Sequence, residues 1–277
     1  MIGLVTDSAS QMPPALAERL GVEVVPVLVT VDGECFREGV DLAPAAFWAR
    51  FDDGAVPEVT TSPPSPGELA DAYRRLIDAG ATEIVSVHIG AEHSGTVNAA
   101  RLAADLVAAP VHLVDSGTAS FGVSCCVWEA ATVLADGGSA GDAATRAKEV
   151  AAEVGTTFII QALDFARRGG RLEPHLPHDH DGVTVLGGVG GVVDVLGTGT
   201  TVDELCDAMV EPMLRDGAPI RAGVSLADPS TLVFTEGIEA RLRDSAVAVD
   251  VVHYDVGPSI AAHTGPGTAG GFWYPIG

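Results

Sequence analysis

Four short stretches of hydroxyl and carboxyl side chains hold the groups of this chain that could bind a ligand or react. Each directly follows an apolar run or directly precedes a helical segment: Thr6-Asp7-Ser8, Thr60-Thr61-Ser62 with Ser65, Ser94-Gly95-Thr96 and Asp115-Ser116. In α/β sheets ligands bind where strands end and helices begin, because backbone N–H groups and the positive helix end converge there. Any one stretch is typical of an ordinary helix N-cap, but four in one domain indicate a ligand site.

Histidines and cysteines raise the question of a metal site. His175, His178 and His180 alternate with Asp179 and Asp181, and the His-x-His spacing suits ligands on a strand or loop. No second cluster accompanies them, so we interpret the segment as a solvated acidic loop. The cysteines form no Cys-x-x-Cys pair, and we interpret them as buried free thiols: Cys35, Cys125, Cys126 and Cys206.

The charge of the chain is strongly negative. A formal net charge of −23 argues against nucleic-acid binding, which depends on neutralising phosphates. Either a salt-adapted surface or a coding bias against lysine could produce this acidity, and we favour the coding bias. The densest positive patch is formed by Arg167, Arg168 and Arg171, which cap a helix C-terminus or provide a docking point for a partner.

The elements that must position these residues follow from the hydrophobic pattern. Short apolar runs alternate with helical segments up to about residue 155, which predicts a parallel sheet with crossover helices. Strands are predicted over residues 2–6, 84–89 and 111–114, and residues 22–31 are predicted as one extended run. Helices are predicted over residues 66–79, beginning with a capping box of Ser65 and Glu68, and over residues 163–168. A second α/β unit is predicted from residue 156 onward. No apolar run reaches the roughly 18 residues that a membrane-spanning helix needs, and the N-terminus lacks the pattern of a signal peptide. We therefore expect a cytoplasmic protein.

Six motifs occur in the order and approximate spacing of the DegV family, which this sequence resembles from residue 2 to about residue 267. The resemblance implies a two-domain fold: a three-layer α/β/α parallel-sheet domain over residues 1–155 and a two-layer α/β domain over residues 156–277. The motifs are Thr6-Asp7-Ser8, Thr61-Ser62 with Pro64-Ser65, Ser94-Gly95-Thr96, Asp115-Ser116, Arg168-Gly169-Gly170-Arg171 and His263-Thr264-Gly265-Pro266-Gly267.

The same resemblance implies a function. DegV-like proteins hold one long-chain fatty acid in a tunnel between their domains, need no cofactor, and act as acyl carriers for a separate fatty-acid kinase. By position, Thr61 and Ser94 would hydrogen-bond the carboxylate, with His263 contributing from the second domain. This chemistry is sound because a carboxylate only accepts hydrogen bonds. The remaining implied ligand-binding residues are Ser62, Gly95 and Thr96, and those of possible support are Asp7, Ser8, Asp115 and Ser116.

Two departures from the family pattern affect the partner more than the ligand. The segment before the Ser94 motif is Ile89-Gly90-Ala91 where the family commonly has Ile-Ser-Ser. Between Arg171 and Arg215 there is no Lys or Arg, whereas the family carries a basic stretch there. A lipid store or sensor without a kinase is therefore an alternative. A hydrolase or phosphotransferase using Ser94 or His263 as nucleophile is another, although the chain has neither a G-x-S-x-G elbow nor a Walker A motif.

Overall fold

The computed structural model describes residues 1–162 and 182–276, which form parts of two compact units. The first unit comprises Met1–Asp41 and Glu58–Ala152, and the second comprises Leu42–Pro57 and Glu153–Gly277. The units differ from the predicted segments at two points: the break after the first unit falls at residue 152, and residues 42–57 group with the second unit.

The first unit is built on a parallel sheet. Its strands are β1 (Ile2–Asp7), β2 (Val22–Val25), β3 (Leu28–Val31), β4 (Glu34–Arg37), β5 (Val59–Ser62), β6 (Glu83–His88) and β7 (Val111–Asp115). Four of them form the parallel sheet in the order β2-β1-β6-β7. The predicted strands at the start of the chain and after residues 83 and 110 are confirmed. Such strands read as nearly continuous apolar runs because both faces of the sheet are covered.

Helices cover the parallel sheet. They are α1 (Pro14–Leu20), α3 (Pro66–Asp78), α4 (Thr96–Ala104), α5 (Phe121–Ala135) and α6 (Ala140–Glu153), while α2 (Pro44–Trp48) belongs to the second unit. Leu69 and Tyr73 of α3 and Ala100 of α4 form one core cluster with Val5 and Ile84 of the sheet. Helix α5 also packs against β1 and β6. The predicted capping box of α3, made by Ser65 and Glu68, is confirmed.

A small antiparallel sheet in the first unit was not predicted. The sequence suggested one extended run over residues 22–31, but the run divides into β2 and β3 around Pro26. Proline has no N–H to give to a sheet ladder, so a strand ends readily there. Strand β3 then pairs with β4 on one side and β5 on the other. This sheet matters for function because Thr61 and Ser62 lie on β5.

The second unit contains a six-stranded mixed sheet in the order β10-β9-β8-β13-β11-β12. Its strands are β8 (Gly155–Ile159), β9 (Val183–Val189), β10 (Asp194–Gly199), β11 (Ile220–Leu226), β12 (Ala248–Asp255) and β13 (Ala269–Pro275). Helices α7 (Val202–Leu214) and α8 (Leu232–Asp244) pack on this sheet through Met209, Ile238 and Leu242. The final helix, α9 (Pro258–Thr264), and β13 were not predicted, and the helix predicted over residues 163–168 lies outside the described residues.

Candidate functional site

The carboxyl ends of the parallel strands bring several predicted residues to one edge. Asp7 ends β1 and Asp115 ends β7, with β6 between them. The loop after β6 is fixed to the loop after β7: the Ala91 N–H donates to Asp115 Oδ1 at 3.1 Å, and the Ser116 hydroxyl donates to the His88 carbonyl at 2.7 Å. Asp115 and Ser116 therefore hold the segment that leads to Ser94.

The Ser94-Gly95-Thr96 motif forms the start of α4. Gly95 is the N-cap, and Ser94 Oγ lies 2.8 Å from Thr96 Oγ1 and accepts the Thr96 N–H at 3.3 Å. Thr96 is buried, whereas Gly95 is exposed and Ser94 is partly exposed. The start of a helix attracts anions, because its N–H groups and dipole present positive charge. Ser94 and Gly95 are thus placed where a carboxylate would be stabilised.

The Thr61-Ser62 motif lies next to that helix start. Thr61 pairs with Val29 in the ladder between β5 and β3, and it is partly exposed while Ser62 is exposed. Pro63 follows directly, and a Cβ added to Gly95 would stand 3.5 Å from Pro63 Cγ. The end of β5 and the beginning of α4 are therefore in contact. The fold thus brings the Thr61-Ser62 motif and the Ser94-Gly95-Thr96 motif into one region of the first unit.

Ser8, a residue of possible support, bonds to two residues of the segment around β3. Its hydroxyl donates to the buried carboxylate of Glu38 and accepts the Val27 N–H at 2.9 Å. These bonds tie the end of β1 to the residue that precedes β3. Ser8 thus supports the small sheet that carries Thr61, and the sequence analysis did not identify its partner Glu38.

A fully buried chain of polar side chains, also missed from the sequence, begins at Asp7. Asp7 Oδ2 lies 2.8 Å from His88 Nδ1, and His88 Nε2 lies 2.7 Å from Ser86 Oγ. Ser86 Oγ in turn lies 2.9 Å from the Tyr73 hydroxyl, and burial raises the pKa of Tyr73. The available signal was Ser86 and His88 at alternate positions of an otherwise apolar strand, which places both on one face.

The second unit places His263 in the last turn of α9, where it is half-buried. The motif continues into a turn in which the Gly267 N–H donates to Asp228 Oδ2 at 2.7 Å. A cavity of about 1190 Å³ opens at this edge of the sheet, where β8, β11 and β12 end and β13 begins. More of its wall is apolar than polar, and its lining includes Trp48, Phe51, Ala162, Leu226, Leu232 and Pro266.

The remaining predictions concern a metal site, a positive patch, the cysteines and membrane helices. Within residues 1–162 and 182–276, no group of three His, Cys, Asp or Glu side chains could hold a metal ion. The histidine cluster at 175–181 and the arginines Arg167, Arg168 and Arg171 lie outside the described residues. Cys125, Cys126 and Cys206 are buried free thiols as predicted, but the prediction was wrong for Cys35, which is exposed on the short strand β4. No helix in the described part of the chain is long and apolar enough to span a membrane.

Nearly the whole chain matches one protein family and its members. Residues 1–275 match the family described as "Uncharacterised protein, DegV family". A DegV domain-containing protein of Streptomyces coelicolor is 33% identical, covering 97% of this chain and 96% of the relative. A DegV domain-containing protein of Deinococcus radiodurans is 30% identical over 97% of this chain and 96% of its own.

Solved structures show the same fold. A DegV family protein from Thermus thermophilus, described by its fatty acid binding, superimposes with a TM-score of 0.88 at 30% identity over 99% of both chains. DegV from Bacillus subtilis, described as a fatty acid binding protein, gives a TM-score of 0.86 at 24% identity, again over 99% of both chains. The predicted mixed α/β architecture with a parallel-sheet domain and a separate second sheet is confirmed.

Proposed function

Because this chain belongs to the DegV family, we propose that it binds one long-chain fatty acid and presents the carboxylate to a partner enzyme. The observation that carries the proposal is the contact between the end of β5 and the start of α4. This contact joins the two segments that carry Thr61, Ser62, Ser94, Gly95 and Thr96, and in the proposed complex their hydroxyl and N–H groups donate to the carboxylate at the positive helix end. In the proposed complex His263 adds a donor from the second domain, and no cofactor takes part.

The acyl chain supplies most of the affinity in this proposal. Each buried methylene contributes about 0.8 kcal/mol, so a sixteen-carbon chain has roughly 11 kcal/mol of gross driving force before ordering costs. The mostly apolar cavity of the second unit, about 1190 Å³, is large enough for a ligand of that size, because typical ligand pockets measure roughly 300–1,000 Å³. A tunnel between the domains remains a prediction.

The buried Asp7, His88 and Ser86 have the residue types of a hydrolytic triad, which is the observation that favours an enzyme. However, Ser86 is fully buried on β6 and its hydroxyl is hydrogen-bonded to Tyr73. A nucleophile must reach the carbonyl of its substrate, and the side chain of this serine has no exposed surface. Binding without turnover is therefore the function that we propose.

Replacing one head-group donor tests the proposal. Ser94→Ala should weaken binding of palmitate or oleate by about 1.5–3 kcal/mol, roughly 10- to 150-fold, since it removes a hydrogen bond to a charged group. Ser139→Ala is the matched control, because Ser139 also precedes a helix and its hydroxyl bonds to Asp142 in the first turn of that helix. Titration calorimetry should give wild-type affinity for the control. Equal affinity for all three proteins would contradict the assignment of Ser94.

The partner in this proposal is a fatty-acid kinase, which would dock near Arg167, Arg168 and Arg171. No Lys or Arg follows Arg171 until Arg215, so the kinase should have a less acidic docking face than one that recognises a basic stretch. Acyl-phosphate formation from loaded protein, ATP and such a kinase should fall with added salt and in Arg168→Ala. Efficient turnover by a kinase from a system with the basic stretch, insensitive to both changes, would contradict this docking surface.

A further inference from the structure

The carboxylate of Asp7 lies at the junction of two segments that carry the proposed head-group donors. Its Oδ1 accepts the Ala9 N–H at 3.1 Å, and its Oδ2 accepts the Ile89 N–H at 3.3 Å. Ala9 belongs to the turn after β1 and Ile89 to the loop after β6. The third contact of this carboxylate is His88 Nδ1, at 2.8 Å.

One segment leads to Thr61. The turn after β1 places Ser8, whose hydroxyl accepts the Val27 N–H at 2.9 Å and donates to Glu38. Val27 directly precedes β3, and β3 pairs with β5 so that Val29 lies opposite Thr61. A change in the direction of the turn at Asp7 would therefore move the small sheet on which Thr61 and Ser62 lie.

The other segment leads to Ser94. The Ile89 N–H is held by Asp7, and the Gly90 N–H donates to the Thr118 carbonyl at 2.8 Å. The Gly90 carbonyl then accepts the Ser94 N–H at 3.1 Å. The position of Ser94 thus depends on the same carboxylate through a short series of backbone hydrogen bonds.

The hydrogen bonds of His88 have one assignment that satisfies every group. If Nδ1–H donates to Asp7, then Nε2 accepts from Ser86 and the Ser86 oxygen accepts the Tyr73 hydroxyl proton. In the reverse order Nε2–H donates to Ser86 and the Ser86 hydroxyl donates to Tyr73, which leaves the Tyr73 proton without an acceptor among the described residues. The first order gives the Asp7 carboxylate three donors and gives each hydroxyl proton of the chain an acceptor.

We propose that His88 is a positioning residue: as a neutral Nδ1–H imidazole it orients Asp7, and Asp7 fixes the Thr61 segment and the Ser94 segment relative to each other. This inference rests on the proposed fatty-acid site. It assigns to a fully buried histidine control over the geometry of the proposed head-group donors.

Two substitutions of His88 separate positioning from packing. In His88→Asn the amide nitrogen can occupy the place of Nδ1 and keep the bond to Asp7. In His88→Gln the amide can instead occupy the place of Nε2 and keep the bond to Ser86. Both remove the ring, and Gln fills more of its volume than Asn, so a residue that acts only by packing would leave His88→Gln binding no more weakly than His88→Asn. Tyr73→Phe is a further control, since it removes the far end of the chain and leaves the Asp7 contact in place.

Palmitate affinity is the readout for these variants. We expect His88→Asn and Tyr73→Phe to bind within about threefold of wild type and His88→Gln to bind at least about tenfold more weakly, as for loss of a hydrogen bond to a charged group. Equal affinities of His88→Asn and His88→Gln would overturn the proposal. A wild-type protein that binds no fatty acid would instead overturn the proposed function, so the two failures are distinguishable.

A measurement on the wild-type protein keeps the proposal testable if the His88 variants do not fold. Nitrogen-15 NMR distinguishes the two neutral tautomers of histidine and the doubly protonated ring. We expect the His88 resonances at neutral pH to be those of the neutral Nδ1–H tautomer. Resonances of the Nε2–H tautomer or of a protonated ring would overturn the assignment.

Discussion

Gly90 and Gly95 stand five residues apart in the segment before α4, and their surroundings differ. A Cβ added to Gly90 would lie 3.0 Å from the Cα and the carbonyl carbon of Gly117, which is closer than ordinary contact with backbone. A Cβ on Gly95 would lie 3.5 Å from Pro63, and Gly95 has a φ of −72° that any residue adopts. The glycine in Ile89-Gly90-Ala91, a departure from the family pattern, is therefore required by the approach of the loop after β7.

Substitution of these two glycines should affect different properties of the protein. Gly90→Ala should lower the free energy of unfolding by about 1–3 kcal/mol, because two backbones must move apart. Gly95→Ala should unfold like wild type, and Gly95→Val should fold but bind palmitate more weakly because its side chain occupies the space of the carboxylate. Urea unfolding and calorimetric titration measure the two effects. Equal loss of stability in Gly90→Ala and Gly95→Ala would contradict the difference in packing.

Among single residues, the sequence indicated candidate ligand-binding groups but did not indicate His88, which lies beside Asp7. Ser94 and Asp115 were recognisable because they are small polar residues at element boundaries. His88 was not, because its partner Asp7 is 81 residues away in the sequence and the ring looks like one polar residue within a buried strand. The carbonyl or carboxylate to which a buried side chain hydrogen-bonds depends on the order of the strands in the sheet. The spacing of residues within one segment does not determine that order.

Helix α5 carries two fully buried thiols. Cys125 and Cys126 are fully buried on this helix, and burial raises the pKa of Cys126 from 9.0 to about 12. The unfolded chain loses this thiol proton above pH 9, whereas the folded chain keeps it. The folded state thus binds more protons in this range, and its stability decreases as the pH rises from about 9 to about 12.

This argument predicts a flatter pH dependence for Cys126→Ala. Above pH 9, the wild-type free energy of unfolding should fall by up to about 1.4 kcal/mol per pH unit for each such thiol. In the variant, the contribution of Cys126 to this fall should be absent. Cys35→Ala is the control, since Cys35 is exposed. Urea unfolding between pH 8 and 10.5 measures the slopes. A Cys126→Ala slope equal to that of wild type would contradict the assignment.

Element prediction succeeded where periodicity was strong and failed for short antiparallel pieces. The capped helix α3 and the buried strands of the parallel sheet follow from pattern and capping alone. Strands β4 and β5 have four residues each and carry exposed side chains, so their alternation was too short to recognise. The pairing partner β3, which stabilises both, supplies information that neither segment contains.

At the scale of the whole molecule, the salt dependence of stability can show where the net charge of −23 comes from. We expect the thermal unfolding midpoint to change little above about 0.5 M potassium chloride, because ordinary screening is complete there. Coding bias is then a sufficient explanation of the acidity. A midpoint that continues to rise steeply toward molar salt would instead indicate a surface adapted to high salt.

The family and the division into two units were predictable because six motifs extend over nearly the whole chain, from residue 2 to about 267. The grouping of residues 42–57 with the second unit was not predictable. That segment belongs to the first half by sequence order, and only its contacts assign it. The position of a residue in the sequence restricts where it can lie in the fold. Its packing contacts determine to which of the two cores it belongs.

Mass spectrometry of lipid extracted from the purified native protein tests the central claim most directly. The proposed function predicts about one equivalent of a long-chain fatty acid per chain, reduced in Ser94→Ala and retained in Ser139→Ala. Extraction of no fatty acid from the wild-type protein, together with no binding of added palmitate or oleate, would contradict the claim.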